Sequence, residues 1–454
     1  MNTSDTLPEP LLERFSRFVE ARAGLHFPRE RWHDLERGLR ATARELGFPD
    51  AGHCAHALLS PHAKKDHVAL LLARLTVGET YFFRELKAFE ALERKVLPEL
   101  IHARRKTGRR LRIWSAGCCT GEEAYSIAIV LSRVLHDLAE WEITILGTDI
   151  NAQFLQKAAA GIYSQWSFRG VPEEMKTLYF HPTRDGHFEI LPRIRKMVTF
   201  ECVNLVADAY PSLLTNTNAM DLIFCRNVLM YFSREQAANV AASLHRSLLS
   251  DGWLFCAGSE GVRDVFGHFT PANLPGIVAY RKSAAVPRET APVPAAPWVP
   301  RAIPAPSITF HSIAAHPPVA TVPPVASAEL ARQFADEGRL AEALAACDRA
   351  ITAEKVAPAH HYLRGLILQE QGARAEAAAA LRRALYLDHT FVLAHFALGN
   401  LMRHEGRHRD AGRCFKNARA LLRSYASDAV LADCEGMTAG RLRAILDAIQ
   451  EVHA

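Results

Sequence analysis

Gly338, Gly372 and Gly406 are spaced by 34 residues, and three more columns of small residues keep the same step: Ala343, Ala377 and Ala411; Ala350, Ala384 and Ala418; Ala331, Gly365 and Gly399. A fixed period of this length constrains the chain more than any local propensity. Each repeat must be the same supersecondary unit, and each must bury its apolar face on the next. Small residues at fixed places let two helices approach closely, and a glycine suits the turn between them. An alanine-rich bundle without repeats has no reason to keep the step. After the last repeat, Thr438–His453 carries Leu442, Ile445, Leu446 and Ile449 on one helical face and reads as the capping helix of the stack.

The period resembles that of tetratricopeptide repeats, so residues 326–454 are expected to form an α-helical repeat module with a protein partner. Upstream, residues 283–325 hold eleven of the 24 prolines. That composition lacks the donors and the periodicity for helix or sheet and predicts an extended linker. Such a linker leaves the two sides free to move independently unless they also form an interface.

Before the linker the periodicity changes once. Residues 1–95 read as helices, with Phe15, Phe18 and Val19 on one apolar face and Trp32, Leu35 and Leu39 on another. From residue 96 to 282 short apolar runs alternate with helical stretches. The runs are Leu111–Ser115, Ile143–Thr148, Met197–Cys202, Leu222–Cys225 and Trp253–Ala257; the helices include Glu122–Leu138 and Arg234–Leu249. This alternation predicts a doubly wound α/β sheet, whose ligands sit at the carboxyl ends of its strands. Residues 162–195 read as a small β insertion with Asp185-Gly186 at a hairpin turn.

The end of the first strand reads Trp114-Ser-Ala-Gly-Cys-Cys-Thr-Gly-Glu-Glu. Gly117 and Gly121 permit a tight loop. Glu122 and Glu123 at the helix start would repel a phosphate and suit a cationic ligand, unless they only cap the helix. Asp149, closing the second strand, can accept from both hydroxyls of a ribose or simply cap the next helix.

Five segments then occur in order: Leu75–Arg84 (LTVGETYFFR), Trp114–Ser126, Gly147–Asn151, Val203-Asn204-Leu205 and Ile223–Phe232 (IFCRNVLMYF). Together they resemble the CheR family of chemotaxis protein-glutamate methyltransferases over roughly residues 12–282. The resemblance implies a Rossmann-like methyltransferase domain that uses S-adenosyl-L-methionine and releases S-adenosyl-L-homocysteine, methylating glutamate side chains of chemoreceptor-like proteins. It implies that Thr80 and Arg84 line the cofactor and the reacting centre, Glu123 holds the methionine ammonium and Asp149 the ribose. Asn204 and Leu205 would frame the adenine, Arg226 and Asn227 would close the pocket beside the methionine, and Tyr231 would sit near the transferred methyl. Gly78 departs from the family's usual asparagine, and a cofactor contact there is lost or replaced. Phe82 and Phe83 are expected to be core packing.

A net charge of +5 gives no argument for nucleic acid, and no apolar run approaches the roughly 20 residues that span a bilayer. The first residues show no secretory signal, and the nine cysteines lack metal-ligand spacing, so reduced thiols in the cytoplasm are expected and no metal site. Arg37, Arg40 and Arg44 form a basic stripe for an acidic receptor bundle, or a solvated face balanced by Glu30, Asp34, Glu36 and Glu45. The loop His181–His187 is short and lacks the Gly-x-Gly of family members that bind a receptor tether, which leaves recruitment to the repeats. The alternatives are another acceptor, or a non-catalytic scaffold that senses the cofactor and binds partners through its repeats.

Overall fold

The computed structural model describes residues 7–60, 62–260, 265–283, 324–433 and 436–453. The linker therefore lies almost wholly outside the described residues, except that Pro324, expected within it, opens the helix Pro324–Asp336. Proline is well suited to a first helical turn, where its missing N–H costs nothing.

Among the described residues, ten strands form two sheets. The large sheet contains β1 (Arg110–Ala116), β2 (Glu142–Asp149), β6 (Val198–Cys202), β7 (Met220–Phe224), β8 (Leu248–Cys256), β9 (Thr270–Ala272) and β10 (Val278–Arg281). Their order is β6-β2-β1-β7-β8-β10-β9. β6, β2, β1, β7 and β8 run parallel, and β10 and β9 close the edge antiparallel. Alternate residues face opposite layers. Ile113, Ile145, Leu222 and Phe255 join the core under the helix Glu122–Val134, while Trp114, Leu146, Ile223 and Leu254 join the core under Arg234–Ser247. The chain steps outward from β1 through β2 to β6 and then returns to β7 on the other side of β1. The carboxyl ends of β1 and β7 thus form the switch point where such sheets bind ligands.

The small sheet, order β3-β5-β4, contains β3 (Ile162–Tyr163), β4 (Phe180–Pro182) and β5 (Phe188–Ile190), with Gly186 at φ 74° in the turn between β4 and β5. It is the expected β insertion. Phe82 is buried against it, edge-on to Tyr163 and Phe180 and stacked on Phe168, which makes it packing, as expected.

The N-terminal region is helical: Glu9–Ala23, Trp32–Leu46, Ala51–Leu59 and Lys65–Leu75. Phe15, Val19, Leu35 and Leu39 are fully buried in its core. In the basic stripe, Arg37 pairs with Asp34 at 2.7 Å and Arg40 with Glu36 at 2.9 Å, so much of its charge is neutralised within its own helix.

After the linker, three helical hairpins stack: Pro324–Asp336 with Leu340–Ala353, Pro358–Glu370 with Arg374–Leu387, and Val392–His404 with His408–Leu422. Gly338, Gly372 and Gly406 take φ 72°, 77° and 74° at the turns, the left-handed region that glycine enters without strain. A Cβ on Gly365 would meet Leu381 at 2.7 Å, and one on Gly399 would meet Phe415 at 2.4 Å, so the small columns set the helix spacing. The helix Ala439–His453 closes the stack. Among the described residues no helix is long and apolar enough to cross a membrane.

The two sides do form an interface, which removes the expectation of free relative movement. Glu370 is buried between them. It accepts from Arg110 at 2.8 Å and from Asn218 at 3.0 Å, beside the buried Arg112. Arg403 pairs with Glu201, and Arg441 with Asp208.

Candidate functional site

A cavity of about 330 Å³ opens at the carboxyl ends of β1, β2, β6 and β7. Each strand end contributes: Gly117 to Cys119 after β1, Asp149 at the end of β2, Val203 to Leu205 after β6, and Arg226 to Val228 after β7. The segment after the helix Lys65–Leu75 adds Thr80 and Arg84, and Tyr231 completes the lining with Glu123 from the first turn of the helix after β1. Nine of the ten residues expected at the site meet here. Gly78 does not line the cavity; a Cβ on it would lie 2.9 Å from the ring of Phe154, which does. The ring occupies the direction a side chain at 78 would take.

Glu122 and Glu123 separate in role. Glu122 turns away from the cavity and accepts from Thr120 at 2.6 Å and Ser167 at 3.0 Å. Glu123 accepts from Ser115 at 2.7 Å and from Arg226 at 3.2 Å. Arg226 is almost fully buried and also meets Glu85 at 3.0 Å, so one guanidinium is shared between two carboxylates. Burial raises the Glu123 carboxyl above its ordinary value against the pull of Arg226. A buried carboxylate whose counter-charge is shared favours an incoming cation.

Asp149 is held on the strand end by two backbone donors, Cys119 N–H to Oδ2 at 2.9 Å and Asn151 N–H to Oδ1 at 2.9 Å. Each oxygen keeps a lone pair for another donor. Burial pushes its carboxyl up to about 6, opposed by those N–H groups.

Asn204 lines the wall with its side-chain amide engaged in the fold. Its Oδ1 accepts from Val206 N–H at 3.0 Å, and its Nδ2 donates to the Arg22 carbonyl at 2.7 Å. Arg84 donates to the Glu79 carbonyl. Burial pushes the Tyr231 phenol up, so it stays a neutral O–H at ordinary pH. Burial likewise pushes the Cys118 and Cys119 thiols up, away from nucleophilic thiolates.

Three contributors leave little mark in the sequence. Glu260, buried after β8, accepts from the backbone N–H groups of Asn227, Val228, Met230 and Ala257 and so shapes the loop after β7. Its place just past a strand's carboxyl end, in Gly258-Ser-Glu-Gly261, was the available signal. Ala23 and Leu25, from the N-terminal region, wall the same cavity, with Leu25 bridged to Phe232. Phe83, Glu85, Cys119 and Asn227 all have positive φ without being glycine. Such backbone costs about 1–2 kcal/mol per residue and tends to collect at functional sites.

Comparison with known proteins follows the same outline. Residues 78–277 match the model described as the CheR methyltransferase, SAM binding domain. A chemotaxis protein methyltransferase of Borreliella burgdorferi is 30% identical over 264 residues, 58% of this chain and 92% of that protein. Chemotaxis protein methyltransferase 1 of Pseudomonas aeruginosa is 31% identical over 59% of this chain and 96% of its own length. The probable biofilm formation methyltransferase WspC of the same organism is 30% identical over 373 residues, 78% of this chain and 86% of its own. Among solved structures, the second tetratricopeptide domain of Spaghetti (RPAP3) bound to an HSP90 peptide is 19% identical, covering 22% of this chain and 91% of that one with a TM-score of 0.21.

Proposed function

We propose, from the premise that this chain belongs to the CheR family of methyltransferases and takes its methyl group from S-adenosylmethionine, that it esterifies glutamate side chains on a chemoreceptor-like protein. The observation that supports this most is the convergence of Glu123, Asp149, Arg226, Arg84 and Tyr231 on one cavity at the switch point of the sheet. The residues fit the donor. Glu123 would hold its ammonium, the open lone pairs of Asp149 its ribose hydroxyls, and the wall of Asn204 and Leu205 its adenine. Thr80, Arg226 and Asn227 would enclose the methionine end.

When bound, S-adenosylmethionine supplies a sulfonium-activated methyl, leaving S-adenosylhomocysteine as the acceptor carboxylate becomes its ester. A glutamate carboxylate, with an ordinary pKa of about 4.3, is already ionised at neutral pH, so no general base is required of the chain. Neither the Cys118 nor the Cys119 thiol is needed as a nucleophile. Arg84 would orient the carboxylate through its guanidinium. It must not hold it too tightly, because the carboxylate loses charge as the ester forms, and binding the ground state better than the transition state slows the step. Tyr231 offers a neutral donor at the same place. The partly apolar walls limit water, which favours reaction between opposite charges.

In this reading residues 1–95 and 96–282 carry the chemistry, 283–325 link, and 326–454 recruit a protein partner. The enzyme works in the cytoplasm, gathered at receptor arrays. The test is transfer of radiolabelled methyl from S-adenosylmethionine to receptor-containing membranes. Base-labile label on the receptor is the expected outcome. Base-stable label, or label on another protein, would move the reading to a different acceptor; cofactor binding without any transfer would leave only a scaffold.

A further inference from the structure

We propose that Arg441, in the last helix of the repeat module, is a positioning residue for the cofactor pocket, so that docking of the repeats and affinity for the cofactor are coupled. The inference rests on the assignment of the cavity under Proposed function and adds a control of that site from outside the catalytic half.

The loop after β6 forms one wall of the cavity through Val203, Asn204 and Leu205. Its shape depends on Asp208. Asn204 N–H donates to Asp208 Oδ2 at 2.7 Å, and Asp208 N–H returns to the Asn204 carbonyl at 2.9 Å. The same loop is tied to the strand that carries Asp149, through Val203 N–H to the Asp149 carbonyl at 3.2 Å. Arg441 grips this loop at both ends. Its Nη2 donates to Asp208 Oδ2 at 2.5 Å and to the Cys202 carbonyl at 3.0 Å, while its Nε pairs with Asp208 Oδ1. The Asp208 side chain is only 5% exposed, so without Arg441 its carboxylate would be left buried with its main counter-charge removed. The response open to the loop is to turn Asp208 outward, which releases Asn204.

The same helix touches a second wall. Ile445 and Ile449 share a groove with Ala152, Leu155 and Ala159 of the helix Ala152–Ala160. That helix is capped by Asn151, two residues after Asp149, and carries Phe154 into the cavity. One helix of the repeat module therefore supports the walls that follow both β2 and β6. A separate polar cluster at the interface, around the buried Glu370, sits at the opposite, amino end of β1 and just before β7. It can fasten the module without shaping the cavity.

Coupling of this kind is reciprocal. Cofactor that orders the loop strengthens docking of the helix, and a partner that draws the helix off the loop weakens cofactor binding.

The experiment uses the full chain, with S-adenosylhomocysteine as the titrant in calorimetry and S-adenosylmethionine in steady-state kinetics. Arg441→Ala is expected to lower affinity by roughly fivefold to thirtyfold and to raise the KM for the donor, with kcat at saturation near parental. Arg441→Lys, which keeps the charge but not the two-ended grip, falls between and serves if the alanine variant does not fold. In an Asp208→Ala background, Arg441→Ala should add nothing. Glu370→Gln should leave affinity near parental. Parental affinity in folded Arg441→Ala, full additivity with Asp208→Ala, or an equal loss in Glu370→Gln would each overturn the proposal. A parent chain that does not bind S-adenosylhomocysteine would instead overturn the pocket assignment, and this inference with it.

Discussion

Glu260→Gln probes the loop that carries Arg226, Asn227 and Tyr231 without replacing any of those three side chains. The Oε1 atom of Glu260 accepts from Val228 N–H at 2.6 Å and Met230 N–H at 3.3 Å; Oε2 accepts from Asn227 N–H at 2.9 Å and Ala257 N–H at 3.0 Å. The residue is 5% exposed, so water cannot readily replace these bonds. Glutamine has the same shape but carries an NH₂ at one end. Whichever way its amide is turned, two backbone donors then face a donor. Losing two hydrogen bonds to a charged acceptor costs about 1.5–3 kcal/mol each, hence about 3 kcal/mol at the low end. If the whole fold bears the cost, the Tm of a cooperative unit of roughly 150–250 residues falls by about 6–12 °C. If the loop gives way instead, Tm holds, and affinity for S-adenosylhomocysteine drops because Arg226 and Tyr231 move with the loop. Scanning and titration calorimetry on one sample distinguish these outcomes. A variant that melts within about 2 °C of the parent and binds equally tightly would refute the account of the loop.

Two further predictions concern the cavity itself. Asp149→Ala should weaken cofactor binding by roughly 10- to 150-fold, the equivalent of one or two hydrogen bonds to a charged group, and calorimetry showing no change would remove Asp149 from the site. Because burial pushes the Asp149 carboxyl up to about 6, the free protein takes up a proton there as pH falls through that value and loses acceptor capacity. Affinity should hold steady above about pH 7 and decline below about 6, by at most tenfold per unit; the decline should vanish in Asp149→Asn. Arg84→Ala should lose most methyl transfer while keeping much of its cofactor affinity, as read by turnover and titration in parallel. Parental turnover would end its positioning role, and complete loss of binding would place it in the cofactor site.

The strands and the cavity were legible because both leave local marks. Residues such as Ile113, Trp114, Leu222 and Ile223 are buried on alternate faces of a sheet covered on both sides, so their runs are continuously apolar. The residues around the cavity cluster at strand ends, where the switch point had to fall. What escaped reading was held together over long separations. Glu370 and Arg110 are 260 positions apart, and Arg441 and Asp208 are 233 apart. A period says that a helix face is buried, not what buries it. Yet the repeats carried a trace of the answer. The residues two before the turn glycines are Asp336, Glu370 and His404, none of them small or apolar. Glu370 meets Arg110 and Asn218, and His404 lies 3.9 Å from Glu201. Two of the three glycines themselves face the catalytic half: a Cβ on Gly338 would lie 3.0 Å from Leu249, and one on Gly372 would lie 3.2 Å from Glu142, while one on Gly406 would meet nothing within 4 Å. The turns of successive hairpins therefore run along one side of the catalytic half. A column of polar residues beside a column of turn glycines is how a stack with its own core can still mark the face that docks, because polar groups buried at an interface must find partners there.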